Sequence, residues 1–198
     1  MISDIFKPAV VRIISPTARG MLRIGLTPNS VTAIGAVGVV ASALIAYPSG
    51  HLFGGTVAIC LLALSDLFDG TMARLSEKGA SRWGGFLDST IDRVTDSSIA
   101  LGLLIYLAHE NDQLSYVLLI SIVAGFLVSY IRAKAESLQI ECKGGFAERT
   151  ERLIILLAAI GFTGLGVDYV LTVGIWLLAV ASVYTVFERM IIVWKATR

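Results

Sequence analysis

Residues 66–92 read DLFDGTMARLSEKGASRWGGFLDSTID and set four aspartates at helical spacing. Asp66, Asp69 and Ala73 fall at i, i+3 and i+7. Asp88, Asp92 and Asp96 fall at i, i+4 and i+8, so each set occupies one face of its helix. Carboxylates gathered where the dielectric is low repel one another and resist ionisation. Arg74 and Arg93 bring two positive charges against five aspartates, and a bound cation is the simplest completion. The donors are all oxygen, which favours Mg²⁺, with Mn²⁺ as an alternative, over zinc. Asp96 is accounted for by pairing with a neighbouring cation.

The elements that must carry these side chains are apolar. The chain has 198 residues, 56% hydrophobic and 16% charged, against about 25% charged in a soluble domain, so much of its surface is expected to meet lipid. Six apolar segments approach the ~20 residues that cross a bilayer. They run approximately over 29–47, 52–74, 84–107, 114–131, 153–167 and 169–187, the fifth being short and glycine-rich. Ahead of them, residues 1–24 mix Ile5, Phe6, Val10, Ile13 and Ile14 with Lys7, Arg12, Arg19 and Arg23, the pattern of an amphipathic helix lying in the interface. Lys7, Arg12, Pro8 and Pro16 break the first apolar stretch, so no cleavable signal peptide is expected. The expected fold is all-α: one domain over 1–198, a six-transmembrane-helix bundle with an N-terminal interfacial helix.

Charge placement supports that count. All 16 Lys and Arg sit in the leader, at the 2–3 and 4–5 connections, or at the C-terminal end. The opposite connections, 48–51, 108–113 and 161–168, contain none. By the positive-inside rule, both termini and the acidic cluster face the cytoplasm of a multi-pass cell-membrane protein. Spans two and three run antiparallel, which brings both sets of aspartates to one depth. His51 and His109 fall at the other side of the membrane, a further reason to set zinc aside. Cys60 is expected to be a buried apolar thiol and Cys142 a reduced loop cysteine, with no disulfide or metal spacing. Gly70, Ala73, Gly84 and Gly85 leave room for a ligand or a neighbouring helix.

The pattern D-x2-D-G-x2-A-R-x9-G-x3-D-x3-D, carried here by Asp66, Asp69, Gly70, Ala73, Arg74, Gly84, Asp88 and Asp92, resembles the defining motif of the CDP-alcohol phosphatidyltransferases. The resemblance implies transfer of a phosphatidyl group from CDP-diacylglycerol to an alcohol, in phospholipid biosynthesis, with two metal ions. It implies that Asp66, Asp69, Asp88 and Asp92 hold metal and that Asp92 also acts as general base. Gly70 and Arg74 would contact the CDP moiety, together with Asn29, Ser30, Val31, Thr32 and, less securely, Ser81. Asn29 has an alternative reading as a helix N-cap. A homodimer is also implied, and Gly50 and Gly54 offer GxxxG spacing near a helix end.

The acceptor is addressed by the cytoplasmic ends of the later helices. Ser129, Arg132 and Lys134 close the fourth span, Arg149 and Arg152 open the fifth, and Arg189 ends the sixth. A phosphorylated alcohol needs such cations, because arginine matches phosphate bidentately. Topology alone also places basic residues there, and Glu148 with Arg152 has the spacing of an ordinary helix pair. The stretches SYIRAKAES, GFAERTERL and WGGFLDSTIDRVTDS resemble the actinobacterial branch of the family, in which inositol 1-phosphate is the acceptor. That implies phosphate contacts at Ser129, Arg132, Lys134, Arg152 and Arg189, with Arg149 assisting. Glycerol 3-phosphate, used by a sister branch, is the alternative. The expected partners are the bilayer, CDP-diacylglycerol and an alcohol phosphate, with no nucleic acid. A cation-coupled transporter and a non-catalytic CDP-lipid binder are the readings from other classes, but no polar chain continues from the carboxylates to the far side.

Overall fold

The computed structural model describes residues 14–75, 81–142, 144, 145 and 148–198. Residues 1–13 of the expected interfacial helix lie outside the described residues. Helical residues 14–23 are followed by seven helices: α1 (Pro28–Ala46), α2 (Leu52–Ala63), α3 (Ser65–Leu75), α4 (Arg82–His109), α5 (Leu114–Ser137), α6 (Arg149–Gly164) and α7 (Val170–Ala196). No strand occurs among the described residues. The helices divide into two compact units, residues 1–43 with 57–99 and residues 44–56 with 100–198.

In the first unit, helical residues 14–23 end in a Schellman turn. Gly25 takes φ 86°, its N–H donates to the Leu22 carbonyl, and that of Leu26 donates to Met21. A glycine in the left-handed region is a common way to close a helix. The turn folds Ala18 onto Val31 and Met72, with Ile14, Met21, Leu22, Leu26 and Phe68 around them. The apolar face of residues 14–23 therefore buttresses α3, the helix that carries Asp66 and Asp69.

The expected second span is interrupted at Leu64, where α2 gives way to α3 through i→i−3 hydrogen bonds from Leu64 to Leu61 and from Leu67 to Leu64. Close approach of α1 accompanies the break. A Cβ on Gly35 would collide with the Ser65 side chain, and one on Gly38 would meet Leu62 at 2.8 Å.

In the second unit, α7 packs against α5 and α6. Tyr47 and Thr56 share a buried 2.9 Å hydroxyl contact, and Ile160, Ile175, Leu118 and Val128 lie in the interior. Cys60 is exposed, against the expectation of a buried thiol, while Cys142 is a free loop cysteine as expected and is buried. Cys60 sits on the outward side of an apolar helix, while the connection carrying Cys142 folds inward.

Among the described residues, four helical stretches are long and apolar enough to cross a membrane: Pro28–Ala46, Leu52–Leu75, Leu114–Ser137 and Val170–Ala196. Their outward residues include Val37, Ile45, Leu61, Val123, Val173 and Val180, a lipid-compatible surface. The remaining two predicted spans differ for physical reasons. α4 has 28 residues but carries Asp88, Asp92, Arg93 and Asp96. α6 has only 16, about 24 Å at 1.5 Å per residue.

Candidate active site

The first unit assembles the acidic motif from the starts of α1, α3 and α4. Thr27 caps α1, its hydroxyl accepting from the Ser30 N–H at 3.2 Å, and Pro28 occupies the first helical position, where a missing N–H costs nothing. Asn29 is therefore not the cap. Its Oδ1 lies 3.4 Å from where a Cβ on Gly84 would stand. Ser81 caps α4 by accepting from the Gly84 N–H at 2.9 Å. Asn29, Ser81 and Gly84 thus meet at an open helix N-terminus, a place where backbone N–H groups and the helix dipole favour an anion. Ser30 bonds back to Thr27, and the Val31 side chain belongs to the core.

One turn into α1, the Thr32 hydroxyl donates to the Asp69 carboxylate. Asp69 is only 8% exposed, and the charges of both Asp66 and Asp88 bear on it. The two flanking carboxylates are exposed, as is Arg74, while Gly70 is half-buried. Asp92 is half-buried one turn further along α4. Arg93 Nη2 lies 3.8 Å from Asp92 and 3.5 Å from Asp96, so Asp96 has the cationic neighbour expected of it.

Thr32 is a neutral donor and leaves the accumulated negative charge in place. Among the described residues, no three His, Cys, Asp or Glu side chains stand close enough together to enclose a metal ion. The donors nonetheless fit a hard divalent cation in charge and chemistry, provided the carboxylates draw inward to close a ligand set.

The second unit carries the cationic residues, and it sorts them. One turn of α5 is the meeting point. The Ser129 hydroxyl donates to the Gly125 carbonyl at 3.3 Å, and the Arg152 Nε lies 3.7 Å from where a Cβ on Gly125 would stand. Arg189 Nη1 donates to the Val128 carbonyl at 2.8 Å. Ser129, Arg152 and Arg189, from three helices, therefore gather on residues 125–129. Arg189 is 2% exposed, and its Nε also donates to the Gly144 carbonyl at 3.0 Å. Arg132 is exposed and paired with Glu136 at 3.1 Å, while Lys134 is exposed and Arg149 half-buried at the start of α6. The sequence gives no sign of the Thr32–Asp69 bond, since neither periodicity nor motif links residues 37 apart.

Residues 25–187 match the family model described as CDP-alcohol phosphatidyltransferase. The chain belongs to that family of membrane enzymes. It is similar to the phosphatidylinositol phosphate synthase of Mycobacterium bovis, 44% identical over 195 residues that cover 96% of this chain and 89% of the relative. The Streptomyces avermitilis phosphatidylinositol phosphate synthase is 39% identical, with 98% and 82% covered. Among solved structures, the Mycobacterium tuberculosis phosphatidylinositol phosphate synthase with CDP-DAG bound superposes with a TM-score of 0.87 at 44% identity, covering 92% of this chain and 94% of that one. The same enzyme in complex with manganese and citrate also gives 0.87, at 42% identity and with 91% and 88% covered.

Proposed function

We propose that this chain transfers the phosphatidyl group from CDP-diacylglycerol to inositol 1-phosphate, giving phosphatidylinositol phosphate and CMP. The observation that carries the reading is a buried Asp69 with Asp66 and Asp88 acting on it, set inside the family's motif. Identity of 44% over nearly the whole chain to a phosphatidylinositol phosphate synthase supports the choice of acceptor.

A divalent cation serves the reaction, and its family use and the manganese-bound relative support this. Asp66, Asp69, Asp88 and Asp92 hold it, Mg²⁺ being the ion and two its number, with Mn²⁺ as a substitute. When bound, such a cation supplies positive charge against the pyrophosphate and the leaving CMP. Asp92 takes the proton from the acceptor hydroxyl. The freed oxygen attacks the phosphorus that bears the diacylglycerol, and the bond to CMP breaks. The capped N-terminus of α4, with Asn29, Ser81 and Gly84, receives the nucleotide side, helped by Ser30, Val31, Thr32, Gly70 and Arg74. Ser129, Arg132, Lys134, Arg149, Arg152 and Arg189 receive the acceptor's phosphate. Positioning and charge provide most of the acceleration.

The chain is one multi-pass domain of the cell membrane. Both α3 and α5 end in basic residues, as does α7, which supports placing all three ends in the cytoplasm. For α5 to approach the cytoplasm in the same sense as α3, α4 must cross between them, and α6 must cross between α5 and α7. Six spans with both termini and the site cytoplasmic follow, with the leader at the interface. The enzyme works as a homodimer, in keeping with its family.

The test is an acceptor panel on purified protein with CDP-diacylglycerol and Mg²⁺. CMP release with inositol 1-phosphate, and little with glycerol 3-phosphate, free inositol or serine, supports the reading. Preference for glycerol 3-phosphate would move the chain to the sister branch.

A further inference from the structure

The connection between α5 and α6 carries two adjacent glycines in conformations that side chains avoid, Gly144 at φ 145° and Gly145 at φ 119°. Their surroundings explain the requirement. A Cβ on Gly145 would collide with the Thr185 methyl and stand 3.5 Å from Arg189 Nε. A Cβ on Gly144 would meet Ile192 at 3.1 Å and the Glu188 carboxylate at 3.4 Å. Thr185, Glu188, Arg189 and Ile192 fall at i, i+3, i+4 and i+7, one continuous face of α7, so the bare backbone lies flat along that face. Only a backbone this close lets the Gly144 carbonyl accept from Arg189 Nε while Val128 accepts from Nη1.

A guanidinium has five N–H donors in one plane. Two carbonyls from separate elements fix the orientation of that plane and leave the remaining donors on Nη1 and Nη2 for an anion. We infer that Gly144 and Gly145 form a seat that orients Arg189 for the acceptor's phosphate, making them specificity-determining positioning residues of the reaction. The inference rests on the reading of Arg189 as a ligand of that phosphate. The glycines touch no substrate. They act through Arg189, which would otherwise have to be ordered when the acceptor binds.

The test uses the full chain, purified in detergent, with separate KM values for inositol 1-phosphate and CDP-diacylglycerol. Gly145→Ala is expected to raise the acceptor KM about tenfold, the scale of one charge-assisted hydrogen bond, and to leave the CDP-diacylglycerol KM within about twofold. Adding Thr185→Ser removes the colliding methyl, keeps the hydroxyl, and should recover part of that loss. If Gly145→Ala does not fold, Arg189→Lys serves instead: it keeps the charge, cannot hold both carbonyls in one plane, and should raise the acceptor KM alone. Equal changes in both KM values, or a lowered melting temperature with the acceptor KM unmoved, overturn the inference. Arg189→Gln separates the two levels. If it leaves the acceptor KM unchanged, the phosphate-ligand reading falls and the seat with it. If it raises the acceptor KM while Gly145→Ala does not, the seat alone is wrong.

Discussion

The acidic region of the first unit and the basic region of the second handle charge in opposite ways. Around Asp69, like charges from Asp66 and Asp88 accumulate and its hydrogen bonds come from neutral donors, the Thr32 hydroxyl and the Gly70 backbone N–H. In the second unit the protein supplies partners to its own cations: Arg132 pairs with Glu136 and Arg189 with two carbonyls. On the proposed function, the first region would draw its counter-ion from outside. In the second, Arg189 is already held in place by the Gly144 and Val128 carbonyls. Burying one carboxylate beside like charges without a counter-ion is costly, whereas carbonyl bonds to a guanidinium satisfy it without cancelling its charge.

That contrast breaks most severely at the acidic end. Asp92→Asn should lower turnover by about 10²–10⁴-fold, the usual worth of a general base, with helicity and melting temperature retained. Next is Asp69→Asn, which removes the central charge. It should raise the half-saturating Mg²⁺ concentration by at least about tenfold and weaken Mn²⁺ binding measured without substrate. A metal requirement unchanged in this variant would remove Asp69 from the ligand set.

Smaller effects sharpen the comparison. Gly35→Ala forces Ser65 and the start of α3 away from α1 and should cost about 1–3 kcal/mol of stability, as overpacking does, read as a lowered melting temperature. Thr32→Val keeps the shape and deletes the bond to Asp69, an expected loss of about 1 kcal/mol with a few-fold rise in the metal requirement. At the basic end, Glu136→Gln releases an exposed arginine from a pair worth about 0.3–0.5 kcal/mol. It should leave stability unchanged and lower the acceptor KM by about twofold at most. A large rise in that KM would mean that Glu136 itself contributes to the site.

The acidic motif could be read from sequence because catalytic residue types recur there at helical spacing and fixed order. The apolar helices could be read because membrane crossing demands length and hydropathy together. The break at Leu64 could not, since it arises where Gly35 meets Ser65, 30 residues further along the chain, and no local breaker marks it. Asn29 is ambiguous in sequence between cap and ligand. The Thr27–Ser30 bond removes the cap reading, because only one side chain can cap α1. The basic residues near α5 and α6 look alike in sequence, yet the fold buries Arg189 and leaves Arg132 and Lys134 exposed. Tertiary packing alone distinguishes them. The exposure of Cys60 has the same origin, since an apolar residue in a lipid-facing helix points outward.

The most direct test of the account is anomalous diffraction from crystals of the full chain soaked in Mn²⁺. The expected result is a peak bounded by Asp66, Asp69 and Asp88 with Asp92 beside it, lost in Asp69→Asn. Manganese elsewhere, or a peak that survives that substitution unchanged, would contradict the claim that these carboxylates draw in the cation.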